Sequence, residues 1–73
     1  MEEAYVEAML ISDVMTELLK KGYFIKTLYT KNDTYIVIVE RGENLWQVAR
    51  TESVFLGSAM QEAYNEVKKV EEI

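Results

Sequence analysis

The side chains that most often carry catalysis are scarce in this sequence. It has no His and no Cys, so the commonest general base, the usual zinc ligands and any thiolate nucleophile are absent. What remains is carboxylate: thirteen Asp and Glu against eight Lys and Arg, a net charge of -5 over 73 residues. Glu62 and Glu66 stand four apart on one helix face, a spacing that could pair a general acid with a general base. They fall on the polar side of that helix, where a solvated face is the expectation. No EF-hand spacing of oxygen ligands is present, and Gly22, Gly42 and Gly57 are too dispersed for a phosphate loop. Asn32-Asp33-Thr34 fits the glycosylation triplet, but its chemistry is that of a turn. The chain is expected to be non-enzymatic, with no metal and no cofactor.

The elements that would position any functional residue follow from hydrophobic spacing. In residues 2–21, Ala4, Ala8, Leu10, Ile11, Val14, Met15, Leu18 and Leu19 fall within one half of a helical wheel, with Glu7 out of place. Gly22 supplies the stop. Tyr23–Thr30 and Thr34–Arg41 are rich in β-branched and aromatic residues, and Leu45–Arg50 makes a third strand, with turns at 31–33 and 42–44. Residues 53–72 return to helical spacing through Leu56, Met60, Ala63, Val67 and Val70. Two starts compete there: a cap at Thr51 or Ser53, or an extended Val54-Phe55-Leu56 followed by a capping box at Ser58–Gln61. The early start is favoured, with an irregularity near Gly57. The fold class is α+β: one small domain over residues 1–73, α-β-β-β-α, a three-stranded antiparallel meander flanked by two amphipathic helices.

Alternation then divides the sheet into two faces. Phe24, Leu28, Ile36, Ile38, Trp46 and Val48 form one apolar set, expected to meet the helices. Ile38 lies mid-strand in the most apolar segment, so an Asp there is expected to abolish folding. Opposite lie Ile25, Tyr29, Tyr35, Val37, Val39, Leu45 and Ala49. Two helices on one side leave the other side open, and so large an apolar face is unusual on a monomer. Tyr29, Tyr35, Val37 and Val39 are therefore expected to serve as a self-association or partner face, making a homodimer.

Charge is uneven along the chain. Residues 1–21 and 52–73 each carry five acids and two bases, whereas residues 22–51 carry three acids and four bases. Glu17 with Lys21 and Lys68 with Glu72 are spaced as i,i+4 pairs. Asp13 and Glu17 on the first helix and Glu62 and Glu66 on the second make acidic faces suited to a basic protein partner, such as a nucleic-acid-binding protein. The longest apolar run, Tyr35–Val39, is far too short to cross a bilayer, and Met1-Glu2-Glu3 is acidic where a secretory leader would be basic. A cytoplasmic protein without membrane association is expected, in the host cytoplasm if the chain is viral.

The order α-β-β-β-α resembles that of the double-stranded RNA-binding domain, in topology alone. That resemblance implies a basic cluster at the start of the last helix, but Thr51–Met60 holds Glu52 and no Lys or Arg. Lys26, Lys31, Arg41 and Arg50 leave only a small basic strip on the sheet, so direct nucleic-acid binding is not expected. Small acidic anti-CRISPR and other phage anti-defence proteins have similar helix–meander–helix designs. The expected function is protein–protein binding, as an inhibitor or regulator encoded by a phage, virus or other mobile element. The alternatives are a nucleic-acid-binding module and a structural subunit of a larger assembly.

Overall fold

The computed structural model describes the backbone of residues 2–71 and the side chains of residues 11–71. Its elements are α1 (Glu2–Lys20), β1 (Tyr23–Tyr29), β2 (Tyr35–Arg41), β3 (Gln47–Ser53) and α2 (Leu56–Glu71). The strands form one antiparallel sheet in the order β1-β2-β3, so the meander and its two flanking helices are as the spacing predicts. The expected positions of Ala4, Glu7, Ala8 and Leu10, and the pairing of Lys68 with Glu72, lie outside the described side chains.

Local chemistry explains the boundaries. Gly22 takes φ 90°, a left-handed conformation that ends α1 at little cost for glycine. Its carbonyl accepts a hydrogen bond from Gly42 N at 2.9 Å. A Cβ at position 42 would come within 2.7 Å of that oxygen, so the exits of α1 and β2 can touch only because residue 42 is bare. In the β1–β2 turn Asp33 takes φ 59°, which Asp tolerates better than most residues. At the other end of the sheet the early helix start is corrected. Ser53 still belongs to β3, and its Oγ accepts from Phe55 N at 3.2 Å. The helix begins at Leu56, with Ala59 N bonded to Phe55 O.

Both helices lie on the same face of the sheet. α1 packs on β1 and on α2, while α2 packs on β2 and β3. The Tyr64 hydroxyl donates to the Glu17 carboxylate, and Lys21 Nζ reaches Glu71 Oε1 at 3.0 Å. Contacts advance along both helices together, so α1 and α2 run in the same direction. Glu17 and Lys21, expected to pair with each other, are instead both engaged by α2.

The sheet is turned over relative to the expected assignment. The core is Val14, Leu18, Tyr23, Val37, Val39, Ala49, Ala59, Met60, Ala63 and Val67. Val37 and Val39 are 0% exposed beneath the helices, so they cannot form a face for a second protein. Phe24 and Leu28 are half exposed on the opposite side, and Trp46 is solvent-facing. The physical reason lies in the register. Cross-strand partners share a face, and the rows Lys26–Ile38–Arg50 and Leu28–Ile36–Glu52 put charge on one side. Ala59 and Ala63 bring α2 close to the other side, where Val37, Val39 and Ala49 lie. A bulge opposite Val39/Glu40 turns both Val48 and Ala49 inward, so Val48 does meet the core as expected. Ile36 is shielded by its row neighbours, not by a helix. Met15, Leu19 and Val70, expected on the buried stripes, are also substantially exposed.

Candidate interaction surface

The four acids proposed for recognition do not form one patch. Asp13, Glu17, Glu62 and Glu66 are all exposed. Glu17 faces α2, where Tyr64 donates to its carboxylate; that bond holds the Tyr64 phenol above its ordinary value. Glu62 and Glu66 each lie two residues from Tyr64, about 200° around the helix, on the flank of α2 away from α1. Glu66 is within 3.4 Å of Lys69 Nζ. On the sheet, Tyr29 and Tyr35 pack as a tilted pair with ring centroids 5.0 Å apart. Tyr29 Oη donates to Asp33 Oδ1 at 3.0 Å. These two aromatics are accessible at the sheet end; Val37 and Val39 are not.

Basic residues are similarly dispersed. Lys26 Nζ lies 3.3 Å from Glu40 Oε1, and Arg41 lies 3.9 Å from Glu43. An open cleft of about 470 Å³ borders Lys21, Gly22, Tyr23, Arg41 and Glu43, but Lys21 is tied to Glu71 and Arg41 to Glu43. Among the described residues no three carboxylates converge to hold a metal ion. No helix of the described residues is long and apolar enough to cross a membrane.

The Glu71 cluster has a pH signature. Lys21 donates to its carboxylate and Tyr23 Oη donates at 3.1 Å, holding Glu71 below the ordinary carboxylate value of 4.5. Burial first, and then the bond to Glu71, push the Tyr23 phenol up. A carboxylate depressed in the folded state stabilises it above its unfolded pKa, and that contribution disappears as pH falls through the folded value. Glu71→Gln is therefore expected to lower the Tm by at most a few degrees at pH 7, with the gap closing at a pH well below 4.5. Melts followed by circular dichroism at the two pH values make the check.

The β2–β3 hairpin displays the most exposed large hydrophobic side chain among the described residues. Trp46 is 69% exposed and Leu45 58%. The loop is held by Leu45 N to Arg41 O at 2.8 Å, Arg41 N to Trp46 O at 2.9 Å and Trp46 N to Asn44 Oδ1 at 3.0 Å. Within it Leu45 takes φ 57°, a left-handed conformation that costs a non-glycine residue about 1 kcal/mol or more. Scans against family models and searches of curated proteins and of solved structures return no match for this chain. The loop geometry places an αL conformation at position 45, and the sequence puts an apolar side chain there. Leu45→Gly should relieve the strain and raise stability by up to about 1 kcal/mol, less the backbone entropy of glycine. Denaturant titration would measure this as a higher midpoint at unchanged slope.

Sequence reasoning placed Leu45 and Trp46 in a strand and so missed this tip. The turn residues Gly42-Glu43-Asn44 were visible, but the positive φ one residue later carries no glycine to announce it.

Proposed function

We propose that this protein acts by binding, occupying a surface of a partner protein without catalysing a reaction. The observation that carries this reading is the Leu45–Trp46 tip, an exposed Trp on a strained hairpin closed by three hydrogen bonds. Strained backbone clusters at binding sites, and Trp is the residue most enriched among side chains that dominate interface energies. The net charge of -5 and the outward acids of α2 favour a basic partner, such as a nucleic-acid-binding protein, which the chain would inhibit or regulate. A mobile-element origin and a cytoplasmic site of action are parts of the same proposal, supported by small size, acidity and the likeness of design to anti-defence proteins.

The test is capture on immobilised protein followed by surface plasmon resonance with the retained partner. Trp46→Ala should speed dissociation by about tenfold or more while leaving the melt unchanged. Reversing Glu62 and Glu66 to Lys should slow association several-fold at low salt only. Equal retention by wild type and Trp46→Ala would remove the tip as the anchor. A salt-dependent gel shift with duplex RNA would replace the reading with direct nucleic-acid binding.

A further inference from the structure

Of the two sheet edges, one is better defended than the other. β3 carries a bulge, the charges Arg50 and Glu52, and a bond from Thr51 Oγ1 to Ala59 O that fastens it to α2. Bulges, charges and covering helices are the usual means of blocking strand addition. β1 is less protected: it has no bulge, running seven residues in unbroken register with β2, and it carries Lys26 as its one charge. α1 packs on it, but among the described residues no side-chain bond ties α1 to the strand's outer residues.

Exposed apolar surface gathers around that edge. Phe24 and Leu28 flank it on the open face, and Tyr29 ends it. On the helix layer, Glu17 marks the side of α1 that faces α2. Met15 and Leu19 each lie two residues from Glu17, about 200° around, and so on the side that overhangs β1. These five side chains are between 37% and 62% exposed.

We propose that two copies of this chain pair antiparallel through their β1 edges, making one six-stranded sheet. The strand itself names the occupant. Tyr23-Phe24-Ile25-Lys26-Thr27-Leu28-Tyr29 reads nearly alike in both directions. A two-fold axis at Lys26, normal to the sheet, sets Tyr23 opposite the partner's Tyr29 and Phe24 opposite the partner's Leu28. Both pairs of helices then lie on one side, with the Met15 and Leu19 flanks of the two α1 helices facing each other. The one like-charge pair, Lys26 with its copy, is answered within each chain by Glu40 at 3.3 Å. At about 200 Å² for a large side chain, the exposed parts of the five residues amount to about 500 Å² per copy. The strand backbone, Lys26 and Thr27 add to that, approaching the roughly 800 Å² per partner of a stable interface. The proposal does not rest on the Trp46 tip, which lies at the far side of the sheet from this edge.

The absence of Cys permits a direct test. Opposed residues of an antiparallel pair have Cα atoms about 4.5–5.5 Å apart, within disulfide reach. Lys26→Cys should oxidise to a covalent dimer, and Arg50→Cys, on the opposite edge, should not. Sedimentation of wild type at about 100 µM should show a dimer that Leu28→Lys and Leu19→Lys each weaken at least tenfold, with monomer melts unchanged, while Trp46→Ala leaves it intact. A monomer at that concentration, a dimer indifferent to both lysines, or equal crosslinking at 26 and 50 would overturn the proposal.

Discussion

Val37→Asp is expected to leave the chain with no cooperative thermal transition, while Ile38→Asp, one residue along, is expected to melt cooperatively. Val37 is 0% exposed on the strand that α2 covers, and the described core offers no cation to answer a carboxylate there. An unpaired buried charge costs at least several kcal/mol, and a domain of this length has only about 4–11 kcal/mol in total. Ile38 sits between Lys26 and Arg50, its two cross-strand partners, on the face that no helix covers. Its replacement loses partial burial worth about 1–2 kcal/mol. Each new pair with a neighbouring cation returns about 0.2–1 kcal/mol. Circular dichroism melts of both variants decide the matter. If Ile38→Asp unfolds and Val37→Asp does not, the sheet faces have been assigned the wrong way round.

Leu18→Ala should lower the Tm by about 10 °C or more. α1 shares no ladder with the sheet, so apolar side chains hold it in place. Leu18 is the largest fully buried side chain of the described residues. Truncating such a Leu costs about 2–5 kcal/mol, and each kcal/mol moves the Tm of a small domain by about 4–8 °C. Leu19→Ala is the natural control. It removes the same atoms from a position 53% exposed, and at low micromolar concentration its melt should match wild type within about 0.5 kcal/mol.

Much of this fold was legible in the sequence, because each switch of hydrophobic period coincides with turn residues. Gly22 ends α1, and Asn32-Asp33 and Gly42 mark the two hairpins. The choice of sheet face was not legible from apolar alternation, since Phe24, Leu28 and Ile38 look as buriable as Val37 and Val39. Charge in register was the better signal. Lys26, Glu40, Arg50 and Glu52 all fall on one face once the strands are aligned. The bulge at Val48 could not be anticipated, because it inserts an unpaired residue without a glycine to mark it. For the candidate surface, Asp13, Glu17, Glu62 and Glu66 were correctly placed on exposed helix positions. Their separation onto different flanks depends on how α1 and α2 pack, which spacing within either helix does not encode.

The last helix supplies Ala59, Met60, Ala63 and Val67 to a core whose other members come from the first fifty residues. During synthesis the sheet therefore waits for its cover. A nascent chain that has reached Ser53 holds all three strands, yet Val37, Val39 and Ala49 still face water. Tyr35–Val39 is then an apolar, strand-forming segment with nothing to bury it, the kind of stretch that invites wrong pairing. Only when the residues through Val67 have emerged can the core close, so this domain folds as a unit behind its last helix even though every hairpin within it is local.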